Sequence, residues 1–218
     1  MIAAIMPCRG RADQTVRNVR RLLSTAGMEQ GPETWQLICM VDRDPVVDRA
    51  LAQSDLPLWR MDSQRKGYWN ALAEATDYWP EFDLIVNLAN DLLPGQHWLQ
   101  RAYSAYRETF GDTPGMVGLN DGHHEVGHSC HFLISRSLLD RYGGWPVWYD
   151  HAFGDTELCQ RAIGDALYVK APWATLFHDH PYFGGDDDAV YQEGRAQAER
   201  DQRLYEERRK RGWPTISR

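Results

Sequence analysis

With 218 residues, 43% of them hydrophobic, the chain has room for one domain of ordinary size around a sizeable core. Its 24 basic and 31 acidic side chains leave a net charge of −7, which argues against a protein that coats nucleic acid or an anionic membrane. No run approaches the roughly 20 apolar residues of a membrane span, and MIAAIMPCRGR is too short in apolar residues for a secretory leader, so a cytoplasmic, membrane-free protein is expected. The four cysteines (Cys8, Cys39, Cys130, Cys159) are scattered with no CxxC pair, which suits reduced thiols better than a disulfide frame or a zinc knuckle.

Ile2 to Pro7 has the length and apolarity of a buried strand. Asp13 is placed to cap a helix carrying Val16, Val19, Leu22, Leu23 and Ala26, which Gly27 stops. Trp35 to Val41 predicts a second strand, the stretch from Asp44 a helix, and Leu58 to Met61 a short strand. Tyr68, Leu72, Ala75 and Trp79 share one face of a helix that ends at Pro80. Asp83 to Leu88 predicts a strand, and Leu99, Ala102, Tyr103, Tyr106 and Phe110 mark the helix after it. Alternation of this kind implies a parallel sheet with helices on both faces. Beyond residue 115, Met116 to Leu119 and Cys130 to Ile134 predict strands joined by a loop rich in Gly and His. From Asp186 the chain is polar, and a helix from about Ala189 to Arg211, with few apolar residues beyond Val190, Leu204 and Tyr205, is expected on the surface or against a partner.

Ligands of open parallel sheets sit beyond the carboxyl ends of the strands. Those positions are polar here: Arg9, Gly10 and Arg11 after the first strand, Asp42, Arg43 and Asp44 after the second, Asn90 and Asp91 after the fourth. A carboxylate there can hold a divalent cation against a diphosphate, although Asp91 alone reads equally well as a turn residue. Asp155 opens a helical stretch and reads either as a helix cap or as a general base. Trp145, Trp148 and Tyr149 can stack on an acceptor or pack in the core.

In this order the motifs resemble GT-A type glycosyltransferases, closest to the family 2 group and to short bacteriophage glycosyltransferases. The resemblance runs from Ile2 to about His180. MPCRGR (6–11) is similar to that family's opening strand and turn, MVDRD (40–44) to its base-binding acidic motif, and KGYWNALAEATDYW (66–79) to its Gly and Asn helix start. LANDLLPGQHW (88–98) resembles its DxD-type metal segment, CHFLISRSLLDRYGGW (130–145) its acceptor-side strand and helix, FGDTELCQRA (153–162) its catalytic helix, and FHDHP (177–181) its late metal-site histidine. The resemblance implies an α/β fold, a single GT-A (Rossmann-like) domain with a mostly parallel central sheet, over residues 1–185, and a charged helical extension over 186–218. Within it, 1–115 would bind the nucleotide sugar, and 116–185 would carry acceptor binding and catalysis.

The implied chemistry is transfer of a hexosyl or pentosyl group from a nucleotide sugar, a UDP-sugar first, to a hydroxyl of a glycan, a small molecule or a modified DNA base. Mn²⁺ or Mg²⁺ would rest on Asp91 with His178 or His180. Arg9, Asp42, Lys66, Asn70 and Asn90 would bind the donor, and Asp155 would act as base with inversion. Two departures stand out: Asn90 where an acidic residue is common, and Gly154 where a Glu often precedes the catalytic Asp.

Two rival signals are present. His124, Glu125 and His128 spell the H-E-x-x-H of zinc hydrolases, but Gly122 and Gly127 disfavour the helix that motif needs, so the loop is expected to hold no stoichiometric zinc. Arg208, Arg209, Lys210 and Arg211 would suit a non-catalytic nucleic-acid module, with a solvated charged helix favoured because Glu206 and Glu207 precede them.

Overall fold

Four apolar runs in the first half form adjacent strands. In the computed structural model, which describes residues 1–28, 34–124, 127–179 and 187–214, β1 (Ile2–Cys8) lies parallel to both β2 (Trp35–Val41) and β4 (Leu84–Asn87), and β2 pairs in parallel with β3 (Trp59–Asp62). Both faces of β1 are covered, which is why its sequence is continuously apolar rather than alternating. Ala4 and Met6 join a core with Leu22, Val86 and Leu99 on one side, and Ala3 and Ile5 a second with Leu72 and Leu138 on the other. The crossovers are α1 (Ala12–Thr25), α2 (Pro45–Ala52) and α3 (Tyr68–Tyr78).

Asp44 caps α2 by accepting from the N–H groups of Val46 (3.0 Å) and Val47 (3.1 Å), at the start of the helix expected from Asp44 onward. Asp13 does not cap α1. The cap position is Arg11, with φ 55°, and Asp13 falls in the first turn, where it favours the helix dipole without closing the end.

After α4 (Trp98–Phe110) the topology changes. β7 (Phe132–Ser135) is antiparallel to β4 and to β6 (Met116–Asn120), while β8 (Tyr168–His178) is parallel to β6. The short β5 (Leu92–Pro94) runs antiparallel to the end of β8, with Leu92 opposite His178. The strand order is β3-β2-β1-β4-β7-β6-β8-β5, so the mostly parallel sheet expected from the first half becomes mixed in the second. α5 (Arg136–Arg141) and α6 (Gly154–Gly164) pack beside this half. No described helix is long and apolar enough to cross a membrane.

The last helix, α7 (Ala189–Lys210), is present as predicted but is not a solvated tail. Arg208 is 3% exposed and donates from Nε and NH2 to the fully buried carboxylate of Glu157 on α6, at 2.8 and 2.7 Å. Asp201 is buried and accepts from the backbone N–H groups of Asp150, His151 and Ala152 at 3.0, 2.8 and 2.9 Å. At the amino end, Asp188 pairs with Arg11. Arg208 is therefore withdrawn from the basic cluster on which a nucleic-acid-binding reading depends. Tyr191, Arg208 and Asp201 anchor the helix through polar groups, which an apolar periodicity cannot reveal.

Candidate functional site

A cleft of about 830 Å³ opens at the carboxyl ends of β1, β2 and β4, walled by the loops after those strands, by residues 150–156 and by α7. Its placement follows from the parallel half of the sheet. The pairing of β5 with β8 sets its floor. Asp179 donates its N–H to the carbonyl of Asp91 at 3.0 Å, and Asp91 Oδ1 lies 3.4 Å from His178 Nε2. Two residues 87 positions apart in sequence, residues 91 and 178, thus meet through strand register.

The other oxygen of Asp91 accepts from Arg11 NH1 at 3.0 Å and from the Tyr191 hydroxyl. Burial would raise the Asp91 carboxyl, but His178, Tyr191 and Arg11 together hold it well below the usual carboxylate range. Burial also works against charge on His178, yet the Asp91 carboxylate holds its imidazole above the ordinary value. His131 lies behind, its ring 5.1 Å from that of His178, and burial followed by the His178 charge brings its imidazole down to about 4. Asp91 Oδ1 and His131 Nε2 are buried and make no hydrogen bond among the described residues. Buried polar atoms of this kind call for an explanation. A carboxylate oxygen facing an imidazole is a donor set that fits a manganese-type cation.

The expected donor-binding residues divide. Asp42, 8% exposed, lines the cleft and accepts from the Gly67 N–H at 3.2 Å. Gly67 has φ 100°, a conformation that favours glycine, and so lets the chain turn over Asp42 into α3. Arg9 and Lys66 both reach Glu193 of α7, at 2.8 and 2.9 Å, with their charged ends at the mouth of the cleft. Asn90 lines the cleft but is committed to scaffolding: its amide donates to the Arg9 carbonyl (3.2 Å) and Thr15 Oγ1 (3.0 Å). Asn70 does not line it and donates to the Lys66 carbonyl at 3.1 Å. His180 and Glu125 lie outside the described residues.

On the opposite wall, Asp155 is the second residue of α6 rather than its cap, which is Phe153 with φ 67°. Its Oδ1 accepts from the Thr156 N–H at 2.8 Å, and Oδ2 is 3.6 Å from His128 Nε2. Burial raises the Asp155 carboxyl, and His128, Thr156 and Cys130 more than offset that and hold it low. Its side chain keeps 20% exposure, open to the cleft. Trp145 and Tyr149 are buried, donating to Thr76 Oγ1 (2.8 Å) and Glu157 Oε2 (2.8 Å), and Trp148 lies under Arg208, so all three pack. Among the described residues, the Phe, Tyr and Trp side chains that line the cleft are Tyr68, Trp69, Phe153 and Tyr191.

Arg11 and Tyr191, which stack on each other and both donate to one oxygen of Asp91, were not among the expected site residues. Arg11 lies in the polar turn after the first predicted strand, which is a usable signal; nothing local in the sequence marks Tyr191.

No family model and no curated protein matches this sequence. Solved structures do. The mannosyltransferase PcManGT of Pyrobaculum calidifontis, in complex with GDP-Man and Mn²⁺, superposes with a TM-score of 0.63 at 16% identity over 84% of this chain and 58% of that one. The glucosyl-3-phosphoglycerate synthase of Mycobacterium tuberculosis, with Mn²⁺, UDP and glucosyl-3-phosphoglycerate, gives 0.59 at 13% identity over 89% and 75%. A mutant of Drosophila β-1,4-galactosyltransferase 7, with manganese, UDP-Gal and xylobiose, gives 0.58 at 14% identity over 89% and 79%. The fold is GT-A. The chain spans little more than half the length of the mannosyltransferase. At these identities the likeness establishes the GT-A architecture, and the chemistry rests on the side chains in the cleft.

Proposed function

We propose that this GT-A chain transfers a sugar from a nucleotide-sugar donor to a hydroxyl acceptor, with Mn²⁺ or Mg²⁺ held by Asp91 and His178. The observation that carries the reading is the meeting of Asp91, with its Oδ1 lacking a hydrogen bond among the described residues, and His178 at 3.4 Å, at the end of the strands where the diphosphate of a donor would lie. The similar structures named above hold Mn²⁺ with nucleotides or nucleotide sugars, in support. When bound, the cation supplies positive charge against the departing diphosphate.

The chain's own groups do the rest. Arg9 and Lys66 give up Glu193 to face the diphosphate oxygens. Asp42 accepts from a donor-base N–H at the far end of the cleft. Asp155, across the cleft, takes the proton from the acceptor hydroxyl as that oxygen bonds to the anomeric carbon, while the sugar–phosphate bond breaks and its electron pair leaves with the diphosphate. A base placed on the face opposite the leaving group gives inversion. The donor is proposed to be a UDP-sugar. A thermal-shift panel of UDP, GDP, CDP and dTDP sugars, each with Mn²⁺ and with EDTA, tests the reading: a donor at 100 times its Kd adds about 2.7 kcal/mol of stability. Stabilisation by UDP-sugars with Mn²⁺ alone is expected. A panel with no stabilising nucleotide sugar would set it aside.

A further inference from the structure

The loop between β6 and β7 is organised around one carboxylate. Asp121, 1% exposed, accepts from the N–H groups of His123 (3.0 Å), His124 (2.9 Å) and Cys130 (3.3 Å), and its Oδ2 lies 2.8 Å from His124 Nδ1. So folded, the loop gathers His124, His128 and Cys130, all half-buried, with one ligand atom of each within 4.8 Å of the others. His128 Nε2 is 3.9 Å from Cys130 Sγ and 3.6 Å from Asp155 Oδ2. A tetrahedral zinc ion with its usual nitrogen and sulfur bonds spaces its ligands about 3.3–3.8 Å apart. The pairs around His128 already stand near that spacing.

We propose that His124, His128 and Cys130 bind a zinc-class cation, separate from the cation at Asp91, with the fourth coordination position on the Asp155 side. Two imidazoles and a thiolate form a borderline-soft set that selects zinc over magnesium or manganese, whereas Asp91 and His178 offer oxygen and nitrogen. A carboxylate on the Nδ1 of a ligating histidine is the outer-shell arrangement that fixes the ring for coordination through Nε2, and Asp121 supplies it. Binding converts the Cys130 thiol to thiolate and releases its proton to solvent. The expectation of a zinc-free loop rested on the missing H-E-x-x-H helix. No helix is present among the described residues of the loop, but Cys130 provides a third ligand that needs none. The ion would pin the loop that forms the acceptor-side wall of the cleft.

The test reads metal directly, so it stands apart from glycosyl transfer. Full-length protein stripped with chelator is titrated with Co²⁺ as a spectroscopic probe and then with Zn²⁺. One equivalent of Co²⁺ with a thiolate-to-cobalt charge-transfer band in the near ultraviolet is expected, displaced by Zn²⁺. Cys130→Ser should lose the band, and His124→Gln should weaken Zn²⁺ binding by at least about tenfold. Asp91→Asn should retain the band and its saturation at one equivalent. Absence of the band in the wild-type protein, its persistence in Cys130→Ser, or its loss in Asp91→Asn would overturn the proposal.

Discussion

Asp91 and Asp155 face the same cleft from opposite walls, and their surroundings give them different work. Asp91 is enclosed by His178, Tyr191 and Arg11, which hold its carboxyl well below the usual carboxylate range. Asp155 accepts from the N–H (2.8 Å) and the hydroxyl (3.4 Å) of Thr156 and has a histidine beside it, with an open side to the cleft. Asp155→Asn removes its basicity without touching a helix cap, because Phe153 holds that position. Transfer should fall by about 10²–10⁴ while donor binding and melting temperature stay near wild type, read from steady-state kinetics beside a donor titration. Early melting with unchanged turnover per folded molecule would move the base elsewhere. A second residue-scale test concerns Asp44, where burial is outweighed by N–H groups of Val47, Gly10 and Val46 and by Arg9, so the carboxyl lies below its ordinary value. A depressed carboxylate stabilises the fold above its unfolded pKa, and that contribution is lost as pH falls through the folded value. Asp44→Ala should cost about 1 kcal/mol at neutral pH, with the gap to wild type closing below about pH 4 in urea titrations.

At the scale of elements, α7 changes the account most. Two of its carboxylates and a tyrosine contact the chain's own cleft: Asp188 on Arg11, Glu193 on Arg9 and Lys66, Tyr191 on Asp91. The anionic donor proposed above would compete with Glu193 for the same cations. Glu193→Gln should therefore tighten donor binding roughly two- to five-fold, the scale of exposed ion pairs, measured by calorimetry with Mn²⁺. At the other end, Arg208→Ala leaves the Glu157 carboxylate buried without its bidentate partner. That should destabilise the protein by ~3–5 kcal/mol in urea unfolding, with Glu157→Gln, Arg208→Met recovering part of the loss. The strands and helices of the first half were legible because apolar runs and 3.6-residue periodicity report burial. The docking of α7 was not, because Asp201, Arg208 and Tyr191 bind through charge and hydrogen bonds and resemble surface residues in a sequence. Asn90 lines the cleft as a strand-end amide would, and its amide nitrogen also ties Arg9 to α1, a second role that its sequence position does not reveal.

At the scale of the molecule, a parallel sheet brings Arg9, Asp42 and Asp91 to one edge, and a mixed second half returns His178 and Asp155 to the same cleft. Residue types at strand ends made the first group readable from sequence. Asp155 and His178 were expected only through the resemblance, and the meeting of His178 with Asp91 depends on β8 running back against β5, a register that no local pattern encodes. Donor binding is proposed to pass through a cation on Asp91 and His178. Titrating a UDP-sugar by calorimetry into wild-type and Asp91→Asn protein, each with Mn²⁺ and with EDTA, tests it most directly. Binding by the wild-type protein with Mn²⁺ only is expected, with loss of that binding in a variant that keeps a folded far-ultraviolet spectrum. Equal affinity in EDTA and Mn²⁺, or unchanged metal-dependent binding in Asp91→Asn, would contradict it.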